Sequence, residues 1–335
     1  MLLETLFCTM LGAGGHAGTG DLAVPMNHKR YRDWTIELPK ETFTAVGDEI
    51  SLQDGKYSFA AAMEGSNLLL DLNADGSTDV RISGEEGSAL LRSEDGFRYA
   101  IRLKSGPNGW YFACSGAQVG KLEGTRISLL DQNNDGYFGE VGVDAILVGQ
   151  GKIATWLGST LLLDGKVRSL QFDSIDQQIM LADFEGEMGS LSVAAGFQGK
   201  GKILSAVVRS MDGQHCLDLA GHAGPVQVPA GSYRILSGKI GLGEQAVMIA
   251  PGTAGALKVS PETAQSFHWG GPVRAEFEFE RGSGKIAFSP DQVWYYGSSG
   301  EEYVQWKPVG KSPVFYIIDS ANKQEVASAV FPGSC

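Results

Sequence analysis

The sequence predicts an all-β protein of two or three β-sandwich or β-barrel-like domains, the C-terminal one immunoglobulin-like. Three observations lead there. Forty-six glycines stand against twelve prolines. That load suits many short elements joined by tight turns, because glycine supplies the positive φ such turns need. Several runs alternate apolar and polar residues with a period of two, while helical periodicity is scarce.

In chain order, Thr35–Leu38, Tyr99–Leu103, Ile127–Leu130, Ser190–Val193, Ile203–Val208, Arg274–Glu280, Lys285–Phe288 and Val314–Ile318 read as strands, with Gly/Asn/Asp/Ser clusters between them. The clearest is Ala275–Glu280, where Phe277 and Phe279 alternate with Glu276, Glu278 and Glu280. Pro261–Phe267 reads as a short helical turn. Residues 1–20 form a candidate leader, and residues 21–150 a β domain that carries two acidic loops. A second β domain covers 151–265, and the immunoglobulin-like sandwich covers 266–335, on strand count.

Thirty-nine acidic against 27 basic residues leave a net charge of −12. The balance excludes a nucleic-acid partner, which needs a basic footprint. No run of about 18 apolar residues occurs, so no membrane-spanning helix is expected. Leu2–Gly14 is mostly apolar and Ala17-Gly18 are small, yet Glu4 interrupts the run and no basic segment precedes it. The four cysteines, Cys8, Cys114, Cys216 and Cys335, match no zinc or redox spacing.

The acidic loops carry the chemistry. The first reads Asp71-Leu-Asn73-Ala-Asp75-Gly76-Ser77-Thr-Asp79. Calcium takes six to eight oxygen ligands, and oxygens at alternate positions of a curling loop converge on one point. Asp71, Asn73 and Asp75 supply side-chain oxygens, Ser77 a carbonyl, and Asp79 the closing carboxylate. The twelfth position is Ile82, so the bidentate glutamate of an EF-hand is missing, and the flanks read as strands. Over these nine residues the loop resembles the calcium loops of integrin-α-type propeller repeats and of dockerins.

The second loop starts at Asp131 and repeats the pattern with Asn133, Asp135 and Gly136, with Tyr137 at the carbonyl position. Its closing carboxylate is Glu140 or Asp144, and Asp144 is favoured because Gly139 and Gly142 let the chain swing it back. Leu69, Leu70, Asp71, Asn73, Asp75 and Gly76 recur 60 residues later, which suggests a duplicated strand–loop unit. Upstream, Tyr57–Ala62 and Trp110–Ser115 read as its matching aromatic–small stretches. The competing reading of each loop is a cluster of ordinary Asx turns, since Asn, Asp and Gly are also the common turn residues.

Other constellations are weaker. His215-Cys216 with His222 fits no zinc spacing. No catalytic elbow or phosphate-binding loop is present, and no spacing singles out a carboxylate pair for glycoside hydrolysis. Trp294-Tyr295-Tyr296, with Tyr303 and Trp306, is a candidate sugar-stacking platform. Gly142-Val-Asp144-Ala145-Ile146 after the second loop, together with Pro229-Ala-Gly-Ser-Tyr233, resembles secreted multi-domain β proteins of planctomycete-type bacteria. The likeness spans most of residues 95–335 and implies architecture and export, but transfers no activity.

The sequence therefore points to a non-enzymatic, calcium-stabilised structural or adhesive protein outside the cytoplasm. Its expected partner is a cell-surface protein or glycan. The alternative is a carbohydrate-binding or carbohydrate-processing protein that uses the Trp294–Trp306 aromatics.

Overall fold

The computed structural model describes residues 22–282, 285–287, 292–304 and 314–330. The chain is all-β, and its strands lie in several sheets. Among the described residues no helix is long and apolar enough to cross a membrane.

The strands that position the acidic loops are β1 (Leu22–Pro25), β2 (Asn27–Arg30), β3 (Thr44–Ala45), β4 (Glu49–Leu52), β5 (Tyr57–Glu64), β6 (Asn67–Leu70), β7 (Val80–Ile82), β8 (Glu86–Arg92), β9 (Arg98–Gly106), β10 (Gly109–Cys114), β11 (Gly116–Leu122), β12 (Thr125–Leu130), β13 (Ala145–Val148), β14 (Thr155–Trp156), β15 (Thr160–Leu163), β16 (Lys166–Asp173) and β17 (Gln178–Asp183). They build four antiparallel sheets, ordered β4-β5-β6-β7, β3-β10-β9-β8, β14-β13-β12-β11-β2 and β1-β17-β16-β15.

Alternation decides which face is buried. In β4, Ile50 and Leu52 are buried while Glu49 and Ser51 are exposed, as a two-residue period requires. The first two sheets share a core that includes Phe59, Leu68, Leu70, Leu91, Tyr99 and Phe112. The other two share a core with Val24, Ile127, Leu129, Leu161, Ile179 and Leu181. Phe138, from the second acidic loop, packs against both.

Beyond residue 187, Met188–Ser192 pairs with Val226–Pro229 and with Gln265–Ser266. A larger sheet runs from Cys216–Asp218 through Lys202–Ser210, Gly231–Leu242 and Gln245–Ala250 to Glu302–Val304, Val293–Tyr296 and Arg274–Phe277. Leu191, Val208, Tyr233, Ile235 and Trp269 lie in the core of this region. Strands on either side of residue 265 thus share a sheet. Val314–Ile318 and Glu325–Val330 form a hairpin.

Several sequence expectations need correction. Thr35–Leu38 makes only a single bridge, Glu37 to Ile153. Pro261–Phe267 is a turn leading into the strand Gln265–Ser266, because so short a segment cannot meet the cost of helix nucleation. The Arg274–Glu280 run stops at Phe277 and resumes at Glu280, and Phe277 and Phe279 are both exposed. Cys8, His16, Phe288, Trp306, Cys335 and the candidate leader at 1–20 lie outside the described residues.

Candidate functional site

The two acidic loops occupy the same place in two copies of one unit. In the first copy β5 and β6 form a hairpin, the loop follows, and β7 pairs back on β6 with Leu70 opposite Val80. In the second, β11 and β12 form the hairpin and β13 returns to β12 with Leu130 opposite Ala145. The partner of β5 is therefore β11, Gly116–Leu122, and not the expected Trp110–Ser115 stretch. Trp110–Ser115 instead supplies most of β10 in another sheet.

The backbones of the loops match as well. Ala74 and Asn134, at the fourth position, have φ of 63° and 66°, while Gly76 and Gly136 have 84° and 86°. Glycine is favoured there because a side chain in the left-handed region is strained. At Gly136 space forbids one too, since a Cβ would stand 2.9 Å from that of Leu52.

The side chains of loop 1 organise its turn. Asp71 Oδ1 accepts from the N–H groups of Asn73 (3.0 Å) and Ala74 (2.7 Å), and its Oδ2 accepts from Gly76 (2.8 Å). Asn73 Oδ1 accepts from the Asp75 N–H at 2.9 Å, and Asp75 Oδ1 from the Ser77 N–H at 2.8 Å. Asp79 Oδ2 closes the loop on the Leu72 N–H at 2.7 Å. The Ser77 hydroxyl and N–H and the Asn73 amide hold the Asp75 carboxyl below its usual range. Asp71 is buried, while Asn73, Asp75, Ser77 and Asp79 are exposed.

Loop 2 has the same turn, driven inward. Asp131 Oδ1 accepts from the Asn134 N–H at 2.6 Å, and Oδ2 from the Gly136 N–H at 2.8 Å and the Tyr99 hydroxyl at 2.7 Å. Asp135 Oδ1 accepts from the Tyr137 N–H at 2.8 Å, and Oδ2 from the Asn133 amide at 2.6 Å. Asn134 donates to the Thr42 carbonyl and accepts from the Cys114 N–H. The Gln132 amide donates to the Val143 carbonyl, and its oxygen accepts from the Lys40 N–H. Tyr99, Gln132 and Asn134 escaped the sequence reading. The even positions of the pattern carry no ligand chemistry, and Tyr99 lies 32 residues from Asp131.

The carboxylates of loop 2 are under strong electrostatic load. Burial pushes Asp131 up to about 7, although the hydrogen bonds from Tyr99, Gly136 and Asn134 pull it back. Burial, then the Asp131 charge, pushes Asp144 up to about 8. Burial and the neighbouring Asp135 charge also raise Glu140.

Glu140 and Asp144 come together, the two candidates for the closing position. Asp144 Oδ2 accepts from the Glu140 N–H at 3.1 Å. The other oxygen of Asp144 is buried without a hydrogen-bond partner, as is Glu140 Oε2. Asp144 is fully buried at 0% exposure, so this oxygen has no route to bulk water. A buried carboxylate oxygen in that condition invites a cation or a proton.

Among the described residues, no group of three or more His, Cys, Asp or Glu side chains is arranged to hold a metal ion. A calcium shell also draws on neutral oxygens, and each carboxylate oxygen that accepts one N–H keeps a second lone pair. The donor chemistry of loop 2 therefore suits a hard cation, with Asp131, Asn133, Asp135, Tyr137 and Asp144 or Glu140 as the residues to supply oxygens.

The remaining candidates separate. His215 Nδ1 lies 3.1 Å from the Thr160 hydroxyl, while Cys216 is buried and its thiol is pushed up to about 12 by burial. Trp294 stands opposite Glu276, and Tyr295 opposite Ala275, so alternation places Trp294 and Tyr296 on one face and Tyr295 on the other. Tyr303 packs against the core around Tyr233. Among the described residues, Trp294, Tyr295, Tyr296 and Tyr303 do not share a single face. No known protein family, curated protein or solved structure matches the chain.

Proposed function

We propose that this chain is a calcium-stabilised structural or adhesive protein of the cell exterior, with no catalytic activity of its own. One observation carries the reading. Two loops with the same ligand pattern, turn conformation and strand context each end in further carboxylates, and in the second the buried oxygens of Glu140 and Asp144 lack partners. Two carboxylates held out of water, Asp131 and Asp144, with Glu140 half-buried beside Asp144, cost stability. A divalent cation would offset that cost and pin the loop between two cores. Its role is structural, because Asp131 and Asp144, which would hold the cation, are buried.

The reading includes two or three β-sandwich or β-barrel-like units, the last at residues 266–335. The C-terminal unit is immunoglobulin-like. Partner contact falls to exposed apolar residues such as Tyr316, Ile318 and Val326 on the hairpin, a surface fitted to a cell-surface protein.

The test is a melting curve with and without calcium. The reading requires a rise in Tm that is lost in a D71A/D131A double variant. An unchanged Tm at millimolar calcium overturns it.

A further inference from the structure

Two sheets end side by side at loop 1. Strand β7 is the last of the order β4-β5-β6-β7, and β8 the last of β3-β10-β9-β8. A cavity of about 390 Å³ lies between them, with apolar walls from Val80 of β7, Ala89 and Leu90 of β8 and Leu72 of loop 1. In the β8–β9 ladder the odd-numbered residues bond inward: the Ser93 N–H reaches the Phe97 carbonyl at 3.1 Å, and the Ser105 N–H the Glu85 carbonyl at 2.8 Å. Glu86, Ser88 and Leu90 therefore turn their N–H and C=O groups outward. Among the described residues these groups have no backbone partner. Arg92 points the same way, and the Leu72 carbonyl takes its N–H at 2.8 Å. Loop 1 thus closes one end of the edge and leaves the rest open. An open edge is a template for another strand unless charge or proline blunts it, and Ser88–Leu91 holds neither.

The charges at the closed end select what such a strand carries. Arg92 stands directly opposite Arg98, and like charges in that position cost stability. Arg30 reaches in from β2, where its Nη2 donates to the Ser88 hydroxyl at 3.0 Å. Arg30 and Arg92 both line the cavity, and among the described residues neither is in an ion pair. Asp79 is the single carboxylate of the lining, and its Oδ2 accepts from the Leu72 N–H at 2.7 Å. Two guanidiniums against one carboxylate leave the cavity positive. A guanidinium fork matches a carboxylate in shape and in sign. Because the Leu72 carbonyl occupies the edge at Arg92, an added strand stops there, beside the guanidiniums. A chain that ends in a carboxylate at that point meets both conditions.

We propose that the β8 edge takes up the C-terminal segment of a partner protein as an added strand. Arg30 and Arg92 hold its terminal carboxylate, and its last side chain sits against Leu72, Val80 and Leu90. Main-chain hydrogen bonds supply the affinity, and the carboxylate sets the register. This is a different surface from the exposed Val314–Ile318 and Glu325–Val330 hairpin. Asn73 and Asp79 of loop 1 form part of its wall, but the peptide needs no calcium.

The experiment is fluorescence anisotropy on the full chain in EDTA, with an N-terminally labelled hexapeptide of alternating threonine and valine that ends in valine. It is offered as the free acid, as the C-terminal amide, and as an acid with proline in place of the inner valines. The expected result is saturable binding of the acid and about tenfold weaker binding of the amide, the loss of a charge-assisted contact. The proline form, which lacks the donors, does not bind. R92Q lowers affinity for the acid about tenfold and leaves the amide unchanged, while the Tm holds or rises because Arg98 no longer faces a like charge. A purely structural Arg92 would move the Tm and leave the acid's affinity alone. S88P removes an N–H that β9 does not use, and abolishes binding of acid and amide alike. The peptide comparisons need no variant, so they decide the matter even where S88P folds poorly. No saturable binding of the acid, equal affinity for acid and amide, or undiminished binding of the proline form overturns the proposal. Calcium is absent from this measurement, whereas the metal reading rests on a rise in Tm with calcium, so either can fail alone.

Discussion

The Tyr99 hydroxyl donates a hydrogen bond to Asp131 Oδ2 at 2.7 Å, and both residues are buried, at 0% and 1% exposure. This contact ties the first residue of loop 2 to strand β9 of a neighbouring sheet. The equivalent Asp71 of loop 1, also buried, accepts from N–H groups of its own loop.

Y99F tests that contact. The substitution keeps the ring and removes the donor from a buried carboxylate, at an expected cost of about 1–3 kcal/mol. The Gly136 N–H still serves the same oxygen, so the fold survives. Chemical denaturation of both proteins measures the difference. A cost near zero would mean that solvent reaches Asp131.

Calcium should raise the Tm by several degrees, since a ligand at about one hundred times its Kd adds about 2.7 kcal/mol. D144A should remove most of that rise, and E140A less. The reverse ranking would move the closing carboxylate to Glu140. Calcium affinity should fall as pH falls through the range near 8 and 7, where Asp144 and Asp131 take up protons. Isothermal titration at several pH values gives the slope.

Without calcium, D144N should melt higher than the parent at alkaline pH. The folded pKa of Asp144 lies near 8, above its ordinary 3.8. The folded state therefore binds the proton more tightly, and its advantage is present at low pH and lost as pH rises through 8. The asparagine removes that penalty. A parent that melts no lower at pH 8 than at pH 5 would contradict the burial of this carboxylate.

His28 acts in the opposite direction. Its folded pKa, about 4, is below the ordinary 6.5. The unfolded chain takes up the proton first, so stability is full above 6.5 and declines as pH falls toward 4. H28Q should melt with a shallower acid dependence than the parent over this window.

Cys114 and Cys216 are buried free thiols, and burial raises both. In a C8S/C335S background, neither should react with a thiol reagent until denaturant is added. Prompt reaction of one equivalent in the native protein would show a local opening around that cysteine.

The sequence made the β class and the turn chemistry legible. The apolar runs Tyr99–Leu103 and Ile203–Val208 and the Asp-x-Asn-x-Asp-Gly spacing are local signals, and the strands and turns obey them. The Leu70 and Leu130 positions before each loop also proved equivalent. What stayed hidden is long-range. Nothing local says that Tyr99 reaches Asp131, that Asn134 braces Cys114, or that β11 rather than β10 repeats β5. Phe277 and Phe279 alternate as core residues do, yet both are exposed, because periodicity reports a face without saying what covers it. His28 and Gln118 become a pair only through sheet register.

Phe138 contributes one ring to two hydrophobic cores. A chain of packed units ordinarily yields to pulling one unit at a time, at its softest seam. Here the seam is stapled by a side chain that belongs to both neighbours, on a loop whose carboxylates favour a cation. The ionic conditions around the protein would then set how much force the two cores bear before they part, and F138A would turn one mechanical rupture into two smaller ones.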